Sequence, residues 1–217
     1  MRKTIALALM AAFTMIMSPG VSHGDLILSG ILDGDLPGGI PKAFIITVEN
    51  DIADLSTFGI GVANNGGGSD GQEFTFSGSA TAGDVIVVTS NTDGATFFSD
   101  NFLGVTTIVN GIAGVNGDDA VELYSGGAVI DTYGDVALDG TNETWEYQDG
   151  YGLRTGGTAG TFNQSNWDSV DGGFDGLDED QHVEVISAVF SFETIPEPGS
   201  ASALALIAGL GMLRRRR

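Results

Sequence analysis

Carboxylates are the one reactive group this chain holds in quantity, with 29 Asp and Glu against 8 Lys and Arg. Paired carboxylates can cleave glycosidic bonds when they sit at a defined separation and one keeps its proton near neutral pH. In so acidic a chain, however, close pairs arise by chance, and no segment joins acidic residues to an obvious aromatic sugar platform. The run Asp168, Asp171, Asp175, Asp178, Glu179 and Asp180 is spaced by glycines. Ca2+ accepts several such oxygens with loose geometry, which makes Asp171, Asp175, Asp178 and Asp180 the candidate calcium ligands. No EF-hand register fits, and a solvated acidic loop is the competing reading. Trp145, Tyr147, Tyr151 and Trp167 offer faces on which a sugar ring can stack, or rings that complete a core.

Other chemistries lack their parts. Cysteine is absent, so there is no disulfide, thiolate metal site or cysteine nucleophile. His182 is the only histidine besides His23, too few for an ordinary zinc site. Six of the eight basic residues lie at the termini (Arg2, Lys3 and Arg214 to Arg217), leaving Lys42 and Arg154 between them. Phosphoryl chemistry and nucleic-acid binding both need cationic clamps, and a surface this acidic repels phosphate backbones. No P-loop, GxSxG or HExxH motif occurs. The residues therefore point to a non-catalytic protein that binds no nucleic acid.

The elements that would position these residues fall into three stretches. Residues 1–24 read as a signal peptide: Arg2 and Lys3, an apolar stretch from Ile5 to Met17, then small residues that place cleavage by signal peptidase between Gly24 and Asp25. The apolar stretch is shorter than the roughly 20 residues a spanning helix needs. Residues 194–217 hold Pro196, Glu197 and Pro198, an apolar stretch from Ala201 to Leu213, and the cluster Arg214, Arg215, Arg216 and Arg217. Terminal arginines beside an apolar helix stop translocation, which puts the middle of the chain outside and gives the short helix a transient insertion in the membrane.

Between them, residues 25–193 read as one all-β domain of short strands and Gly/Asn/Asp turns, an antiparallel sandwich with no sign of alternating βαβ units. The strand candidates are Leu26 to Leu32, Lys42 to Glu49, Gln72 to Ser77, Asp84 to Thr89, Ala120 to Tyr124, Ala128 to Tyr133 and His182 to Glu193. Ser125-Gly126-Gly127 predicts a hairpin turn, and Asn64 to Gly71 a loop. Alternation in Ala120 to Tyr124 predicts one buried face, holding Val121 and Leu123. Asp118 and Asp119, where that strand begins, are placed to accept from loop amides.

Two resemblances bear on these stretches. Pro196-Glu197-Pro198, the Gly- and Ala-rich apolar segment and the arginine run together resemble a PEP-CTERM sorting signal. That resemblance implies recognition by an exosortase and cleavage near Pro-Glu-Pro. It also implies delivery to the cell surface, outer envelope or extracellular matrix of a Gram-negative-type bacterium, where an extracellular polysaccharide is a possible partner. Asn116-Gly117-Asp118-Asp119-Ala120-Val121-Glu122-Leu123-Tyr124, Val129-Ile130-Asp131 and Tyr133-Gly134-Asp135 resemble the second half of a bacterial lamin-tail-type domain. Ala63 to Gly68, Glu73 to Phe76, Ala82-Gly83-Asp84, Trp145-Glu146-Tyr147, Asp149-Gly150 and Arg154 fit the same pattern, and Ala43 to Glu49 departs from it. This second resemblance implies an immunoglobulin-like sandwich with a binding or structural role. A small secreted carbohydrate-active enzyme and a calcium-dependent adhesin are the alternatives.

Overall fold

The computed structural model describes residues 24–195. The expected signal peptide before Gly24 and the expected sorting signal from Pro196 onward lie outside these residues. Twelve strands run in chain order: β1 (Leu26–Leu36), β2 (Ile40–Val48), β3 (Phe58–Ala63), β4 (Phe74–Thr75), β5 (Val85–Thr89), β6 (Phe102–Leu103), β7 (Val105–Val109), β8 (Ala120–Ser125), β9 (Ala128–Tyr133), β10 (Tyr151–Arg154), β11 (Trp167–Val170) and β12 (Glu193–Thr194). Helix α1 (Thr92–Asn101) lies between β5 and β6, and α2 (Glu179–Phe190) precedes β12. Among the described residues no helix is long and apolar enough to cross a membrane.

Two open sheets carry the fold. The larger runs β11-β10-β1-β2-β5-β7 and the smaller β4-β3-β8-β9, with β12 and β6 forming a two-stranded ribbon. Strands β1 and β2 pair antiparallel along most of their length, and their apolar residues are buried on both faces of the sheet. Leu26, Leu28, Ile31, Phe44 and Ile46 pack toward Ile60, Val62, Val121 and Leu123 of the smaller sheet. The opposite face of the larger sheet presents Leu32, Ala43, Ile45 and Val87 to Phe97, Phe98, Phe174 and Ile186, on or beside the two helices. The result is a mostly β protein of three layers, helices on sheet on sheet.

Three expectations are corrected here. The segment His182 to Glu193 alternates like a strand, yet most of it is helical. Asp178 accepts from the Gln181 N–H while Gln181 accepts from the Asp178 N–H, each at 3.0 Å, and this capping box starts α2. His182, Ile186 and Phe190 then fall on one helical face. Gly30 of β1 makes room for that face, since a Cβ there would stand 2.1 Å from the Phe190 ring. The sandwich is also not wholly antiparallel: β5 and β7 pair in parallel across α1, a βαβ unit inside a sheet otherwise built from antiparallel neighbours. Finally, β8 is buried on both faces, with Glu122 and Tyr124 buried like Val121 and Leu123.

The remaining strand expectations agree with the structure at their centres. Strands occupy the four segments Leu26 to Leu32, Lys42 to Glu49, Asp84 to Thr89 and Ala120 to Tyr133, the last as the β8–β9 hairpin. Of Gln72 to Ser77 only two residues pair as a strand, with Phe74 and Phe76 stacked edge to face at 5.3 Å.

Candidate functional site

Both basic residues of the described chain are built into the interior. Arg154 sits on Asp131, with Nη2 2.6 and 2.7 Å from the two carboxylate oxygens and the guanidinium 4.4 Å from the centre of the Trp167 ring. Lys42 donates to the Asp33 carboxylate and, at 2.6 Å, to the Val115 carbonyl. Both cations are thus engaged by carboxylates of the chain itself.

Asp119 caps the turns as its position in the sequence predicts. Its Oδ1 accepts from the Asn65 N–H at 2.9 Å and its Oδ2 from the Asn116 N–H at 3.2 Å. Burial, the larger effect, pushes its carboxyl above the ordinary carboxylate value against the pull of those amides.

The aromatic candidates are core. Trp145, Tyr147 and Trp167 are buried around Tyr133, whose ring meets all three edge to face at 6.1, 5.4 and 4.7 Å. Tyr151 is half-buried against Phe174 and Phe190. None of these four forms an open stacking platform.

The calcium ligands are not brought together. Asp178 is occupied in the cap of α2, and among the described residues no group of three or more acidic or histidine side chains stands where it could hold a metal. The glycine-spaced segment is the turn that delivers the chain into α2. His182 is fully buried, stacked on Phe174 at 4.7 Å, with Nδ1 donating to the Asp178 carbonyl at 2.9 Å. Its Nε2 lies 3.1 Å from Asp35 Oδ1 but outside hydrogen-bonding geometry.

What the sequence reading missed is a cavity of about 400 Å³ on the outer face of the smaller sheet. Glu122 of β8 lines it, Val129 and Thr132 come from β9, Asp135 and Val136 from the segment after β9, and Phe162 from the connection between β10 and β11. Glu122 is only 5% exposed. The Tyr124 hydroxyl donates to its Oε2 at 2.7 Å, and Ser69 Oγ stands 2.9 Å from that hydroxyl, completing a chain of three groups. Burial first, and then the neighbouring Glu122, push the Tyr124 phenol up to about 12. The cavity thus joins a fixed carboxylate to apolar walls from Val129, Val136 and Phe162, a combination suited to a ligand with hydroxyl donors and an apolar face. The sequence signal was Glu122 in mid-strand, where a charged residue between apolar neighbours needs a reason.

No family model, curated protein or solved structure matches this chain.

A second cavity, of about 320 Å³, lies beneath the end of α2 and is lined in part by Ser29, Thr47, Arg154 and Phe190. Its polar groups already pair internally, Thr47 Oγ1 with Ser29 Oγ at 3.0 Å and Ser29 Oγ with the Ile45 carbonyl at 3.1 Å. The Glu122 cavity is the better candidate.

Proposed function

We propose that this chain is an exported, non-catalytic sandwich module that serves at the cell surface or in the extracellular matrix by binding a neutral polysaccharide. The observation that carries the reading is the Glu122 cavity, where a positioned carboxylate and the Phe162 ring face one concave space while both cations are engaged elsewhere. Sugar hydroxyls supply the donors such a carboxylate accepts, and the apolar face of a pyranose fits against an aromatic ring. Most other carboxylates described above cap turns or close ion pairs, which suits a scaffold better than a hydrolase.

Export rests on the termini. Signal peptidase would release Asp25 as the new N-terminus, and an exosortase would act at Pro196-Glu197-Pro198 after transient membrane insertion of the arginine-ended helix. The domain is read as an immunoglobulin-like sandwich of the lamin-tail type, altered by the β5–α1–β7 crossover.

A panel of neutral oligosaccharides tests the ligand. Binding is expected without product release, and Glu122→Gln and Phe162→Ala should each weaken it at least tenfold. Reducing-sugar release abolished by Glu122→Gln would replace the binding reading with a hydrolase. Mass spectrometry of protein recovered from its native cells tests export, and both termini intact on a cytosolic species would overturn it.

A further inference from the structure

The chain has no cysteine, so a covalent staple in this domain must use other chemistry. Among the described residues there is one primary-amine side chain, Lys42, and it is held against a buried carboxyl. Asp33 and Lys42 are register partners on the antiparallel strands β1 and β2, with Lys42 Nζ against Asp33 Oδ1. Directly opposed strand residues stand about 5 Å apart at Cα, a span that a joined Lys and Asp side chain covers with slack. Asp33 is 3% exposed.

We propose that Lys42 Nζ and Asp33 Cγ condense into an intramolecular amide that cross-links β1 to β2. The surroundings supply what the reaction needs. The Val115 carbonyl accepts one amine proton at 2.6 Å and so fixes the nitrogen's orientation. The Asp149 backbone N–H bears on the Asp33 carboxyl, where negative charge develops on oxygen as nitrogen attacks. The Asp149 carboxyl adds a negative charge whose field bears on both Asp33 and Lys42. Burial raises the Asp33 carboxyl despite the adjacent ammonium, which favours the protonated, electrophilic acid.

The step balances without a cofactor. Lys42 passes one proton to the Asp33 carboxylate, giving a neutral amine and a carboxylic acid. The nitrogen lone pair then forms the C–N bond at Cγ. A second proton leaves nitrogen through the Asp149 carboxylate and joins the departing hydroxyl, so that one water is lost and nothing is oxidised or reduced.

The test uses the wild-type full chain, shown to be folded by circular dichroism and then denatured. Lys42 and Arg154 are the only sites for trypsin between Lys3 and Arg214. Trypsin is expected to cut after Arg154 and to leave the bond after Lys42 intact, and the fragment holding Asp33 and Lys42 should be lighter by one water, about 18 Da. Lys42→Arg keeps the charge and removes the nucleophile, so that variant should have its full mass and be cut after residue 42. Complete cleavage after Lys42 in the wild type, with no loss of mass, overturns the proposal and leaves an ion pair. Asp149→Asn suits the left-handed backbone at this position, where φ is 45°. It should slow amide formation at least tenfold, as followed by the loss of about 18 Da in newly made chains that fold before the amide has formed, and an unchanged rate would remove Asp149 from the step.

Discussion

Arg154 and Asp131 form a buried ion pair that ties the two sheets together. Asp131 belongs to β9 of the smaller sheet and Arg154 to β10 of the larger, and both also hold Leu28 of β1. The Leu28 N–H donates to Asp131 Oδ2 at 3.0 Å while Arg154 Nε donates to the Leu28 carbonyl at 2.8 Å. Leu28 is where the β1–β2 register shifts, so the side chains take up backbone groups that the ladder leaves at the bulge.

Arg154→Met strands the Asp131 carboxylate, which is 0% exposed. Removing one partner of a buried pair costs about 3–5 kcal/mol, so the urea midpoint should fall steeply. Adding Asp131→Leu should recover only part of the loss, because the Leu28 and Gly160 N–H groups lose their acceptor.

Asp119 sets a pH dependence whose sign is opposite to that of ordinary acid denaturation. Burial holds its folded-state carboxyl above the value of 3.8 expected in the unfolded chain. The folded state therefore binds the proton more tightly, and stability from this group is full below the unfolded value and lost as pH rises through the folded one. Asp149, raised by burial and by Asp175 and Asp35, acts in the same direction. Urea midpoints should fall as pH rises through this acid window, and Asp119→Asn should flatten the slope. A midpoint that climbs with pH across the window, unchanged by Asp119→Asn, would contradict this assignment.

Asp178→Ala removes the side-chain half of the box that starts α2. Loss of such a cap costs about 1 kcal/mol. Helical circular dichroism should decrease and the Ile186 amide should exchange faster with solvent, since α2 closes over the larger sheet through that residue.

How much of this was legible in the sequence follows from how local each signal is. The β8–β9 hairpin was readable because Ser125-Gly126-Gly127 and two apolar runs suffice to specify it. His182 to Glu193 misled because its apolar residues fit both a period of two and a period near four, and only Asp178 and Gln181, upstream, decide for the helix. The β5–α1–β7 crossover hid because α1 is short and opens on Thr92, Asp93 and Gly94, all poor helix formers. Of the Glu122 cavity only the mid-strand charge was legible, since Phe162 reaches it from 40 positions downstream and nothing local marks that approach.

Tyr124→Phe tests whether the cavity carboxylate is positioned. The hydroxyl donates to Glu122 Oε2, and without it a buried carboxylate loses its donor. An unmet buried polar group costs about 1–3 kcal/mol, so stability should fall by that amount. Oligosaccharide affinity should fall several-fold as well, because Glu122 is then free to turn. Unchanged affinity would mean that the Tyr124 bond serves the fold alone.

Gly152→Ala probes the ring cluster from the backbone side. A Cβ at Gly152 on β10 would stand 2.7 Å from two ring carbons of Tyr133, inside any tolerable contact. The ring has nowhere to move: its hydroxyl donates to the Trp145 carbonyl at 2.6 Å and lies 2.9 Å from Ser169 Oγ, and Trp145, Tyr147 and Trp167 hold its edges. Relief therefore has to come from the backbone of β10, which pairs with both β1 and β11. Overpacking of this kind costs about 1–3 kcal/mol. Gly152→Ala should cost less in the Tyr133→Leu background than in the wild type, and strict additivity of the two would show that the ring is not what the glycine accommodates.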